Sequence, residues 1–213
     1  KFKNKKINII KYYKKITLLL LKIQKIKNKK IRTFSKTNYI VPKYTKDKLF
    51  RESKLFLDWY VPKVIHKKKR NFVKKKLKNI FRVLLKKINN KNNIFVHRDF
   101  HVSNLIEYKK KIALIDNQDA LYGNKAYDLA SLIDDVRFKT SNSLKEKIYK
   151  YFLNKNKSIN KENFKNNFDI LSVLRNLKII GIFTRLSSRD RKHYYLKLIP
   201  YAWKLIENRI NNN

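Results

Sequence analysis

Four residues in the middle of this sequence have the types and spacing that phosphate chemistry requires. Asp99 follows His97 by two positions, Asn104 follows Asp99 by five, and Asp116 comes twelve after Asn104. Phosphoryl transfer asks little covalent chemistry of a protein. It needs a divalent cation on the phosphates and a carboxylate that positions the attacking hydroxyl. Mg²⁺ takes hard oxygen ligands, one or two from side chains and the rest from phosphate and water. Singly, Asp99 and Asn104 are ordinary turn or capping residues, and Asp116 is an ordinary end to a strand. Jointly, at this spacing, they point to a base and two metal ligands. His97 and His101 admit two readings. With Asp99 they form a metal-hydrolase cluster of imidazoles and a carboxylate on zinc, which leaves Asn104 and Asp116 without a role. Otherwise His97 is structural and hydrogen-bonds the loop backbone.

The surrounding pattern shows how these residues would be positioned. Ile94, Phe95 and Val96 read as a short strand, 97–104 as a polar loop, and 105–108 with 111–115 as a β-hairpin closed by a tight lysine turn. That hairpin returns Asp116 to the end where Asn104 begins. The rest reads as helix. An amphipathic helix covers 7–27, and 28–45 is a polar connection with Pro42 and an N-cap at Thr45. A second helix carries Leu49, Leu55, Phe56, Trp59 and Tyr60 and breaks near Pro62. A third spans 70–88, ended by the Asn/Lys cluster at 89–93. After Gly123 helical spacing returns over 126–138, 144–153, 162–186 and 192–209, with Pro200 kinking or splitting the last. The fold class expected is α+β, predominantly α, with one small catalytic hairpin.

Composition bounds the remaining possibilities. A hydrophobic fraction of 43% over 213 residues is enough for a real core. No cysteine is present, which removes disulfide and thiolate-metal frameworks and fits a reducing cytoplasm. The longest apolar stretch, 16–21, is far too short to span a membrane, and no signal-peptide cleavage site follows it. The net charge of +40 invites a nucleic-acid reading. Its distribution argues otherwise. Residues 94–137 hold six Lys or Arg against seven acids, a net of −1, so the basicity is a diffuse background around one balanced window. Lysine, asparagine, isoleucine, phenylalanine and tyrosine are abundant together, as AT-rich codons would produce, and nucleic acid is not the expected partner.

The joined motif of His97, Asp99, Asn104 and Asp116 resembles the catalytic core of the aminoglycoside phosphotransferase/choline kinase family, relatives of protein kinases. Residues 116–120 and 127–135 are similar to the bacterial cell-wall amino-sugar kinases, which phosphorylate the anomeric hydroxyl of N-acetylmuramate and N-acetylglucosamine. Residues 49–62 and 175–186 are similar to the helices flanking that core, so the resemblance covers about 40–205. It implies an ATP- and Mg²⁺-dependent cytoplasmic kinase acting on a small molecule such as an amino sugar of cell-wall recycling. Asp99 would orient the hydroxyl and take its proton, while Asn104 and Asp116 would hold Mg²⁺. Supporting places fall to His97, His101 and Asp128, the last at a helix opening where it suits the macrodipole and braces the loop. Asp119, Arg137 and Arg175 are candidates for substrate contact or for a place just behind it. Arg137, Arg175 and Arg185 also read as plain surface cations in so basic a chain.

Two departures from the family pattern stand out. Asn117 occupies a position where these kinases usually have an apolar residue. Nothing before Ile94 reads as a five-stranded sheet, no glycine precedes Gly123, and the chain begins at Lys1 without any methionine. The expectation is therefore one C-terminal catalytic lobe over 1–213, lacking its nucleotide lobe and binding ATP weakly alone. Within it, 1–45 is a lead-in helix and connection, 94–119 the catalytic loop and hairpin, and 126–213 the substrate side. A truncated or pseudokinase-like non-catalytic domain is the alternative, and a basic nucleic-acid binder a more distant one.

Overall fold

A computed structural model describes residues 8–89 and 93–211. A thirty-residue helix, α7 (Lys161–Asp190), organises the fold. Its apolar residues are spread around the whole circumference, so it is buried on nearly every side, as such a pattern demands. Against it pack α2 (Lys46–Leu55), α4 (Arg70–Lys87), α5 (Ala126–Ile133) and α8 (Ile199–Ile210). The first helix, α1 (Ile9–Ile23), lies on α6 (Asn142–Asn154) and α5, with Asn8 as its N-cap. The core runs continuously from Tyr13 and Leu20 through Phe56, Phe100 and Leu129 to Phe152, Phe183 and Leu205. Among the described residues no helix is long and apolar enough to cross a membrane.

The β structure is three two-stranded antiparallel ribbons. Strands β4 (Leu105–Tyr108) and β5 (Lys111–Leu114) form the expected hairpin. Lys109 and Lys110 both have positive φ, the primed turn that suits a two-residue hairpin loop. Strand β3 (Ile94–Val96) pairs with β6 (Leu121–Gly123), so the loop and the hairpin are threaded between two paired strands. The other edge of β6 is closed by main-chain bonds between Tyr122 and the 42–44 segment, and a Cβ on Gly123 would lie 3.0 Å from that of Tyr44. No five-stranded sheet occurs among the described residues.

The structure corrects several boundaries. The 28–45 segment is not plain connection: β1 (Lys30–Arg32) and β2 (Asn38–Ile40) pair within it, exposed on both faces and so without an in-out alternation to read. The second helix does not break at Pro62. Residues Phe56–Tyr60 form a π turn in which Val61 N–H bonds the Phe56 carbonyl, five residues back. Helix then continues as α3 (Val61–Val64), because the widened turn accommodates a residue with no N–H to give. The third helix ends at Lys87, and 90–92 of the cluster expected to end it lie outside the described residues, as does the start of the first helix at residue 7. Helix α5 stops at Ile133 rather than 138, and α7 runs on to Asp190, where Arg191 caps it in the left-handed conformation. Pro200 does split the last helical region, sitting in the first turn of α8 after a 3₁₀ stretch at His193–Leu198.

Candidate active site

The loop leaves β3 at Val96 and is clamped at once. Asp128, fully buried in the first turn of α5, accepts the main-chain N–H of His97 at 2.7 Å and of Arg98 at 3.0 Å, one on each oxygen. Burial pushes the Asp128 carboxyl up to about 7, against the pull of those two amides and of Arg175. Beyond the clamp Arg98 has φ of 75°, left-handed backbone that a non-glycine residue rarely adopts. The next turn is closed on Asp99: its carbonyl accepts from His101 N at 3.0 Å and from Asn104 Nδ2 at 3.0 Å. A 3₁₀ turn, Val102–Asn104, then delivers Asn104 to the start of β4.

The hairpin brings back Asp116 as the spacing predicts. Ile115 N–H bonds the Asn104 carbonyl at 3.1 Å, and Asn104 Nδ2 stands 3.5 Å from Asp116 Oδ2. Asp116 has φ of 69°, and its other oxygen accepts from Gln118 Nε2. Asp99 is half-buried and Asp116 exposed, so both carboxylates can meet a ligand. Asn104 Nδ2 donates to the Asp99 carbonyl and faces Asp116 Oδ2, which leaves the Asn104 side-chain oxygen as the donor that would join the Asp116 carboxylate on a cation. Two hard oxygen donors with open positions fit a Mg²⁺ that takes its other ligands from phosphate and water. Among the described residues no group of three His, Cys, Asp or Glu is arranged to hold a metal, so the alternative histidine cluster does not form.

The histidines sit behind this edge. His97 is fully buried, its ring edge-on to Phe100, and neither ring nitrogen makes a hydrogen bond of ordinary geometry, although carbonyls of Ile115 and Asp99 are nearby. Burial lowers its pKa, while the charges of Asp99 and Asp116 work the other way. His101 is also buried and is pushed down to about 4, first by burial and then by Arg137, with Asp135 and Asp99 opposing. It is therefore neutral near pH 7. Asp119 is exposed; its carbonyl accepts from Arg98 Nη1 at 3.1 Å and its carboxylate lies 3.8 Å from the same atom. Arg175 is not a surface cation. It is 3% exposed, lies near Asp128 and His101, and reaches the Asp134 carbonyl at 3.5 Å. Arg137 is exposed and stacks over Phe183.

Sequence reasoning missed a second group around Glu52. This carboxylate, in α2, accepts Arg98 Nη2 at 2.6 Å on one oxygen, and Lys178 Nζ at 2.8 Å together with the Tyr44 hydroxyl on the other. Lys178 also reaches the Tyr127 hydroxyl at 3.3 Å, and the rings of Tyr44 and Tyr127 meet edge to face. Burial disfavours a charge here, yet Lys178 and Arg98 hold Glu52 below the usual carboxylate range. The signal available in the sequence was scarcity: with 15 acids against 55 cations, an acid on the apolar face of a helix marks a cluster of cations.

A family model described as the phosphotransferase enzyme family matches residues 29–156, which contain Glu52, the whole loop and hairpin, and Asp128. The chain belongs to this family. The chain is 30% identical over 167 residues to the N-acetylmuramate/N-acetylglucosamine kinase of Neisseria meningitidis, covering 76% of this chain and 50% of that protein. It is 28% identical over 177 residues to the enzyme of the same name from Pseudomonas aeruginosa, covering 80% and 52%. It thus spans about half the length of the curated relatives it matches. Among solved structures it is similar to an ethanolamine kinase of Plasmodium vivax, with a TM-score of 0.59 at 14% identity over 94% of this chain and 60% of that one. At that identity the likeness shows the fold, a predominantly helical, kinase-like one.

Proposed function

We propose that this phosphotransferase transfers the terminal phosphate of ATP to a hydroxyl of an amino sugar, such as N-acetylmuramate or N-acetylglucosamine. The observation that carries the reading is Asn104, whose Nδ2 ties the Asp99 carbonyl at 3.0 Å and stands 3.5 Å from the Asp116 carboxylate, so that base and metal donors share one edge. The names of the relatives support the choice of acceptor. In this reading Asp99 accepts a hydrogen bond from the acceptor hydroxyl, aims its oxygen at the phosphate and takes its proton as the bond forms. Asn104 Oδ1 and the Asp116 carboxylate would hold Mg²⁺, whose charge, when bound, offsets that of the phosphate oxygens. Asp128, through the main-chain N–H groups of His97 and Arg98, and the Glu52 cluster, through the Arg98 side chain, fix the loop so that Asp99 is already oriented. The chain acts as one catalytic lobe, 94–119 supplying base and metal ligands and the helices after 126 the acceptor side.

The test is sugar-dependent consumption of ATP by the natural gene product that contains this chain, with N-acetylmuramate, N-acetylglucosamine, choline and an aminoglycoside as acceptors. Phosphorylated amino sugar is the expected product. Asp99→Asn should lower turnover by about 10²–10⁴-fold, the range for losing a positioned base, with the unfolding midpoint unchanged. Asp116→Asn should raise the Mg²⁺ concentration needed for half-maximal rate. Undiminished turnover in Asp99→Asn would remove its assigned role, and absence of transfer to every acceptor would favour a non-catalytic domain.

A further inference from the structure

We propose that Arg137 makes this site selective for amino sugars that carry a carboxylate over their neutral counterparts, an inference that rests on the reading just given. Asp135, just past the end of α5, is 1% exposed. One of its oxygens accepts the N–H of Val102, in the catalytic loop, at 3.4 Å, and the other accepts the N–H of Arg137 at 2.9 Å. The backbone of Arg137 thus hangs from the same buried carboxylate as a residue three positions after Asp99. Its location relative to the loop is set by the fold, unlike that of a lysine on a solvated helix face.

Its side chain is also held. The guanidinium lies over the ring of Phe183 in α7 at 5.5 Å. Phe183 stacks on Tyr195 at 4.9 Å, and Tyr195 on Tyr194 at 4.1 Å, where Tyr194 is 58% exposed. Arg137 therefore covers the buried Phe183 ring, and the half-buried Tyr195 and exposed Tyr194 carry the aromatic run from there out to solvent. Among the described residues no carboxylate stands within ion-pair distance of this guanidinium, whereas Arg98, Arg189 and Arg209 each have one. A planar guanidinium offers two parallel N–H groups to a carboxylate, and an aromatic face suits the C–H face of a sugar ring. N-acetylmuramate carries a 3-O-lactyl ether, with its methyl and carboxylate, where N-acetylglucosamine has a hydroxyl, so the charge contact is read from how the ratio for the two sugars named for the relatives changes when the cation is removed.

The experiment compares kcat/KM for the two sugars in the parent protein, Arg137→Gln and Arg137→Lys. A charge-assisted hydrogen bond supports an expectation that Arg137→Gln lowers the N-acetylmuramate to N-acetylglucosamine ratio by about ten-fold or more, through KM for the acid sugar. Arg137→Lys, which keeps charge but not the fork, should fall between. A ratio unchanged in Arg137→Gln, or equal losses for both sugars, overturns the assignment of Arg137 and leaves the kinase reading intact. Phosphorylation of neither sugar by the parent protein overturns that reading and this proposal with it.

Discussion

Asp128 Oδ2 lies 2.7 Å from the main-chain nitrogen of His97, and its other oxygen takes the next amide, so one buried side chain sets the direction in which Asp99 leaves the strand. Asp128→Asn keeps the volume but turns an NH₂ toward one of the two amides. A buried donor left without a partner costs about 1–3 kcal/mol, which should appear as a lower urea midpoint. A shift of about 1 Å in Asp99 would cost turnover about 10²-fold, more than the stability loss alone explains. The pH dependence has a definite sign. The folded carboxyl titrates at about 7, above its unfolded value of about 3.9, so the folded state binds the extra proton between them. This group's contribution to stability is full below pH 4 and declines as pH rises to 7. The stability difference between parent and Asp128→Asn should shrink over that window; a difference that grows would contradict the assignment.

Glu52 joins three separate parts of the fold: α2 that carries it, Arg98 of the loop, and Lys178 of α7. The groups are mostly buried, at 18%, 21% and 11% exposure, so removal of the carboxylate strands two cations away from bulk water. Breaking a buried pair from one side costs about 3–5 kcal/mol. Glu52→Gln should therefore destabilise strongly and also slow turnover, because Arg98 loses its anchor at a left-handed backbone position. Lys178→Met should be milder in the Glu52→Gln background than alone. A double-mutant cycle by urea denaturation measures this, and additivity would show that the contact contributes nothing.

Asp134 shows the opposite electrostatic balance to Asp128. It is equally buried, but Lys145 at 2.9 Å, Arg209 at 2.9 and 3.1 Å and Ser172 at 2.6 Å surround it. Burial works against its charge, and Lys145 and Arg209 outweigh it, so the carboxyl sits below the usual range. A depressed carboxyl stabilises above its unfolded value of about 3.9, and that contribution is lost as pH falls through the folded value. Asp134→Asn should cost about 3–5 kcal/mol at pH 7. Denaturation from pH 7 down to 3 should show parent and variant converging in acid. A gap that persists at the lowest pH would mean that packing, rather than charge, makes the site.

These balances explain why part of the site could be read from the sequence and part could not. Asp99, Asn104 and Asp116 are near one another along the chain, and a two-residue turn is enough to bring them together, so type and spacing located them. Glu52 and Lys178 are 126 residues apart and meet only because α2 crosses α7, a relationship no local pattern encodes. Arg175 looked like one more surface cation because the composition makes every cation look solvated, yet it is 3% exposed beside a buried carboxylate cluster. Strand β6 escaped for the reverse reason: all three of its residues are buried, leaving no alternation. The bracing of the loop by Asp128 was anticipated because an acid at the opening of a helix suits the macrodipole.

Gly181 offers the sharpest test of how α7 positions the site. A Cβ built there would lie 2.3 Å from the Leu55 carbonyl carbon and 2.5 Å from both Leu55 O and Phe56 N. These are backbone atoms at the junction of α2 and the π turn, so no side chain can rotate away. Intrinsic helix propensity favours alanine over glycine by about 1 kcal/mol, and overpacking costs about 1–3 kcal/mol or more. With rigid backbone on the other side the clash prevails, and Gly181→Ala should lower stability. Forcing α2 off α7 also stretches the link from Glu52 to Lys178, so turnover should fall further than in Ser188→Ala, a control on the exposed face of the same helix. Urea denaturation and the coupled ATP assay, run together on both variants, measure this. If Gly181→Ala proved more stable than the parent, as propensity alone predicts, α2 and α7 would not be in backbone contact at this crossing.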